Sequence, residues 1–182
     1  MQRYLDDKII KEKGLRQTKS DRLANTQVAL LVELAEFANE GRWFKVWSEN
    51  QKPKKMYLME SDEDENIRPV EKNVLLEEYV DGIHFFLSIA NQTEMRGALE
   101  FNEMTLAERY KKGNREKLNH SFLEVHYELS RFRVTKSKVA FSGAWMNYLT
   151  MGLSGFGFTW AQIAEAYIGK NKTNHDRQAQ GY

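Results

Sequence analysis

Two stretches of this chain set carboxylates among residues that read as buried. TQVALLVELAEFANE, residues 26–40, is apolar almost all round, as a core helix is. It nevertheless carries Glu33, Glu36 and Glu40, whose spacings of three and four put them on one helical face. VLLEEYVDGIHFFLSIA, residues 74–90, repeats the pattern with Glu77 or Glu78, then Asp81 and His84. Ionised carboxylates on buried helices are costly unless something compensates them. Neither stretch offers a cation at the matching spacing on the same face. A divalent cation is the other compensation. Oxygen-rich clusters select hard ions, here Mg²⁺ with Mn²⁺ as its substitute. A neutral imidazole adds nothing to such a site, so His84 reads as a core or supporting residue.

The elements that must position these groups are helices. Leu, Ala and Met number 37 against 16 Val plus Ile, and only two prolines occur, which favours an all-α fold built as a helical bundle. One helix starts at 21 or 25 and runs through 40, closed by Gly41. Others are expected over 71–90, 137–151 and 159–168. Pro53 and Pro69 bracket a basic cluster followed by an acidic one (Asp62, Glu63, Asp64, Glu65), which reads as a solvated loop. Residues 92–138 carry ten basic and seven acidic residues and read as an insertion between core helices. Within them Leu118, Phe122, Val125, Leu129 and Phe132 recur at helical spacing, while Leu123, Val125, Tyr127 and Leu129 also alternate as a strand would. The helical reading is taken.

Composition bounds the function. The chain has 182 residues, so a single domain spanning 1–182 is expected. A net charge of +1 argues against a nucleic-acid partner. Cysteine is absent, which removes disulfides, zinc-thiolate sites and a cysteine nucleophile. The amino terminus is too charged for a signal peptide. The uncharged run 139–164 holds four glycines with Asn147 and Gln162, and reads as buried helix, glycine turn and helix, not as a membrane span. A soluble, cytoplasmic protein with no membrane partner is expected.

The pair Glu33-Leu-Ala-Glu36 and Glu78-Tyr-Val-Asp81 resembles the Glu-x-x-Glu … Glu-x-x-Asp signature of the all-α nucleoside triphosphate pyrophosphatases, which include the MazG-like enzymes. More specifically, VELAEFANEGRWFKVWS, EEYVDGIHFFLSIA and the tail YIGKNKTNHDRQAQGY resemble the dimeric dUTPases of bacteria and their phages. The resemblance covers about half the chain, roughly 22–48, 74–90 and 139–182. It implies a homodimer that hydrolyses dUTP to dUMP and pyrophosphate, with Mg²⁺ held by Glu33, Glu36, Glu78 and Asp81. The physical logic agrees. A triphosphate needs cations on its oxygens, and a carboxylate must take the proton of the attacking water. Glu36 is the preferred base, with Glu33 the alternative.

The same resemblance gives the polar tail a role. Lys170 and Arg177 suit phosphate oxygens, and Asn171 and Asn174 supply amides that match a nucleobase edge or a sugar hydroxyl. Without substrate the segment 170–182 is expected to be mobile, since it has little apolar surface. Gln27 is a candidate for reading the uracil edge, and Trp47 for stacking on the base. Two other readings share these residues. One is a related pyrophosphatase acting on dCTP or a modified nucleotide. The other is a phage regulatory protein that binds a partner protein through 92–138.

Overall fold

The computed structural model describes residues 1–12, 17–53, 56–61, 67–101 and 117–179. Helix α1 spans Gln2–Glu12 and α2 spans Lys19–Gly41. Thr18 starts α2: its hydroxyl oxygen accepts the Asp21 N–H at 3.1 Å, while the hydroxyl donates to the Asp21 carboxylate at 2.7 Å. Strands β1 (Met56–Ser61) and β2 (Ile67–Lys72) form an antiparallel hairpin, with Met56 opposite Lys72 and Ser61 opposite Ile67. Asn73 then opens α3 (Val74–Gln92), accepting the Leu76 N–H at 3.0 Å. A short 3₁₀ turn at Arg96–Ala98 leads towards α4 (Leu118–Thr135), which packs against α5 (Lys138–Thr150).

A π-helical turn, Met151–Phe156, follows α5 and ends at Gly157. Gly157 takes the left-handed conformation, φ 74°, and its N–H returns to the Gly152 carbonyl. Helix α6 (Trp160–Ala179) opens on a reciprocal cap. The Gln162 N–H donates to the Thr159 hydroxyl at 3.2 Å, and the Thr159 N–H donates to the Gln162 amide oxygen at 2.9 Å.

Helices α2 and α3 run antiparallel and make the most extensive helix–helix contact among the described residues. Gln92 donates to the Thr26 hydroxyl at 2.8 Å near one end of the pair, and the carboxylates gather towards the other. Leu30, Leu34 and Phe37 of α2 meet Tyr79, Val80, Phe86 and Ile89 of α3, with Val125 and Phe132 of α4 and Phe141, Trp145 and Tyr148 of α5 completing the core. Tyr79 and Tyr148 stack at 4.7 Å, and each hydroxyl donates to the other's carbonyl, at 2.7 Å from Tyr148 and 3.4 Å from Tyr79. This interlock fixes the turn of α3 that carries Glu78 and Asp81.

The fold is all-α, as composition implies, and the helix, glycine turn and helix read over 139–164 are present. Among the described residues no helix is long and apolar enough to cross a membrane. Four features differ from the sequence expectation. The stretch between Pro53 and Pro69 is not all loop, because Met56–Ser61 and Ile67–Lys72 pair as strands; the acidic run 62–65 lies outside the described residues. Both strands are edges, where a proline such as Pro69 is tolerated. The helical reading of this segment holds and the alternation from Leu123 to Leu129 marks no strand, but the segment is not peripheral. α4 is a helix whose Leu118, Val125, Leu129 and Phe132 are buried, so the latter part of 92–138 enters the core. A helix at the amino terminus also appears, anchored by buried Leu5.

The fourth difference concerns the tail. It is helical through Ala179 and rests on α1: the Tyr4 and His175 rings lie 5.5 Å apart, and Lys8 donates to the His175 carbonyl at 3.5 Å. The expected mobility overlooked α1 as a partner.

Candidate active site

Glu33 and Glu36 leave α2 towards the face on which α3 presents Glu78. Carboxylate oxygens of these three residues lie within 4.8 Å of one another. Glu33 and Glu78 are half-buried, while Glu36 is exposed at the mouth. Burial pushes the Glu33 carboxyl up to about 7, and the charges of Asp81, Glu36 and Glu78 add to the shift. Burial likewise raises Glu78 to about 7, reinforced by Asp81, Glu36 and Glu40. Lys170 works against both shifts. Carboxylates crowded to this degree keep too little positive charge among them.

Asp81 stands one helical turn beyond Glu78, close enough to repel both Glu33 and Glu78. Its Oδ2 lies 2.6 Å from the Lys170 Nζ. Three of the four expected metal ligands therefore converge directly, and the fourth is beside them in an ion pair with α6.

The other sequence-proposed residues are dispersed around this centre. Asn171 is 2 % exposed, and its amide nitrogen is buried with no hydrogen-bond partner. Asn174 is half-buried on the next turn. The side chain of Arg177 lies outside the described residues. Gln27 is not drawn into the cluster: it lines a groove between α2 and α4 with Leu30, Leu31, Leu129, Ser130 and Arg133, and its amide nitrogen is buried without a partner. Trp47 is 75 % exposed, edge-on to Phe44 at 5.9 Å, so no core contact claims its face. Trp43 instead packs on Phe37 and donates its indole N–H to Asn119 at 2.9 Å.

Behind the cluster, His84 is a buried supporting residue. Its Nδ1 lies 2.6 Å from the Gln2 amide oxygen, and its ring stacks on Tyr167 at 4.2 Å. The Tyr167 hydroxyl donates to the same oxygen at 3.3 Å. Burial, aided by the charge of Lys170, lowers His84 to about 4 and keeps it neutral. Gln2 and Tyr167 received no such role in the sequence reading because no spacing links them to the acidic helices. A separate cavity of about 410 Å³, lined by Asp6, Arg22, Gln92 and Arg96 among others, lies towards the other end of the α2–α3 pair and contains none of the candidate site residues.

The chain is thus an all-α protein with an acidic cluster on facing helices. A family model described as dUTPase matches residues 1–63 and 65–182. The chain belongs to the all-α dUTPase family, and its activity is that of a dUTP diphosphatase. Comparison with curated proteins finds no match.

Proposed function

We propose that the chain hydrolyses dUTP to dUMP and pyrophosphate in an Mg²⁺-dependent reaction, with Mn²⁺ as a substitute. The observation that carries this reading is the convergence of Glu33, Glu36 and Glu78 within 4.8 Å, with two of them held near 7 by burial and mutual repulsion. Oxygen-only donors of this charge fit a hard divalent cation, and Asp81 completes the set when it turns from Lys170. Bound Mg²⁺ supplies charge neutralisation on phosphate oxygens and acidifies the attacking water.

The chain's own residues do the rest. Glu36, on the solvent side of the cluster, takes the proton of the water, with Glu33 as the alternative base. Lys170 and Arg177 hold phosphate oxygens, Asn174 contacts the nucleoside, and the buried Asn171 supports the helix that carries them. The open face of Trp47 stacks on the base. The enzyme works as a cytoplasmic homodimer.

The test is dUTP hydrolysis with and without Mg²⁺. Activity that needs the cation, returns with Mn²⁺ and is lost in Glu36→Gln supports the reading. Full activity in a chelator overturns it.

A further inference from the structure

The cluster already holds one cation, and it belongs to the chain. Lys170 Nζ lies 2.6 Å from Asp81 Oδ2, with the two side chains only 24 % and 16 % exposed. Around this pair stand Glu33, Glu36 and Glu78. The backbone that carries Lys170 is fixed from behind: Tyr167, one turn earlier, stacks on His84, and Asn171, the next residue, is buried. A lysine is a point charge on a flexible four-carbon stem, so its ammonium can swing while the helix stays in place.

Building on the metal reading above, we propose that Lys170 is an internal stand-in for the divalent cation: it holds Asp81 in the metal-free protein, yields that carboxylate when metal binds, and then turns to the phosphates of the nucleotide. Among the described residues, one positive charge facing four carboxylates leaves a net negative site, which a doubly charged ion satisfies better. The released ammonium, repelled by the ion, finds its new partner in the triphosphate. Metal and nucleotide therefore assist each other through one side chain. This coupling is reciprocal, since whatever metal does for nucleotide affinity nucleotide does for metal affinity.

The experiment titrates Mg²⁺ alone, without nucleotide, into the full-length chain and into Lys170→Met and Lys170→Gln. Calorimetry reads affinity, and ¹⁵N NMR reads the Lys170 ammonium in the unsubstituted protein. With the competitor removed, both variants bind Mg²⁺ at least about fivefold more tightly. Their metal-free Tm falls below that of the parent, the gap closes at saturating Mg²⁺, and Lys170→Arg restores the metal-free Tm. The Lys170 ammonium resonance shifts as Mg²⁺ is added. An ammonium resonance that Mg²⁺ binding does not move overturns the stand-in role, whatever the affinities, and leaves the metal reading intact. Failure of Mg²⁺ and Mn²⁺ to bind any of these proteins overturns the metal reading itself, and this inference with it.

Discussion

A glutamate that titrates near 7 keeps its proton in the folded chain over a range where the unfolded chain has already released it. Glu33 and Glu78 both move from the ordinary 4.5 to about 7. Between those values the native state binds more protons than the unfolded state, so stability falls as pH rises and levels off above 7. His84 acts in the opposite sense, because its value drops from 6.5 to about 4 and the unfolded chain binds the extra proton there. Burial also raises Asp6 and lowers His126, so the raised carboxylates still outnumber the lowered imidazoles and the metal-free protein should have a higher Tm at pH 5 than at pH 8. Mg²⁺ should restore the Tm at pH 8; a metal-free Tm that rises from pH 5 to 8 would contradict the assignment. Glu33→Gln removes one of the repelling charges. Its metal-free Tm at pH 8 should equal or exceed that of the parent, while hydrolysis falls by at least about a hundredfold. The carboxylates were legible in the sequence because a 3.6-residue period on an apolar helix makes misplaced charges conspicuous. The Lys170–Asp81 pair was not, since only tertiary packing brings α6 onto α3.

At the scale of elements, the site depends on how closely α3 lies against α5 and the π-helical turn. A Cβ on Gly82 would fall on the Tyr148 hydroxyl, and one on Gly152 would fall on the Tyr79 ring. Both tyrosines are fully buried, so neither can step aside. Gly82→Ala and Gly152→Ala should each cost about 1–3 kcal/mol, read as a lower Tm, with activity lost in proportion as Glu78 and Asp81 shift. A Tm unchanged in both would show the interlock to be looser than described. α6 gives a second test. Truncation after Ile168 removes Lys170, the buried Asn171 and the His175 contact with α1, so it should lower both Tm and kcat/KM for dUTP. Arg177→Ala should lower kcat/KM by roughly tenfold or more, as one charge-assisted phosphate contact is lost. The four helices of the acidic and uncharged stretches could be read from apolar periodicity and caps. α1 could not, because the helices it packs against, α3 and α6, are distant from it in sequence. The hairpin was hidden by the charges that flank its short apolar runs.

At the scale of the whole molecule, the proposed homodimer requires a surface that a second copy can cover. The uncharged run 139–164 is the longest charge-free stretch of the sequence, yet its large residues serve the monomer: Phe141 and Tyr148 are fully buried, and Trp145 is 5 % exposed. That run therefore leaves little apolar surface for a partner. Apolar side chains left open to solvent lie instead on α2, at Val28, Leu31 and Val32, and on α4, at Leu123, Tyr127 and Val134. These stripes flank the groove lined by Leu30, Leu31 and Leu129. Covering them with the same face of another copy gives an isologous contact and removes the exposed apolar surface from water. Light scattering at micromolar concentration should report a dimer. Val28→Asp sets a charge in that stripe, two helical turns and about 12 Å from Glu36, and should yield a folded monomer. Val139→Asp introduces the same charge at an equally open position in the uncharged run, and should leave the dimer intact. A parent chain that scatters as a monomer, or a dimer broken by Val139→Asp and not by Val28→Asp, would move the interface away from α2 and α4.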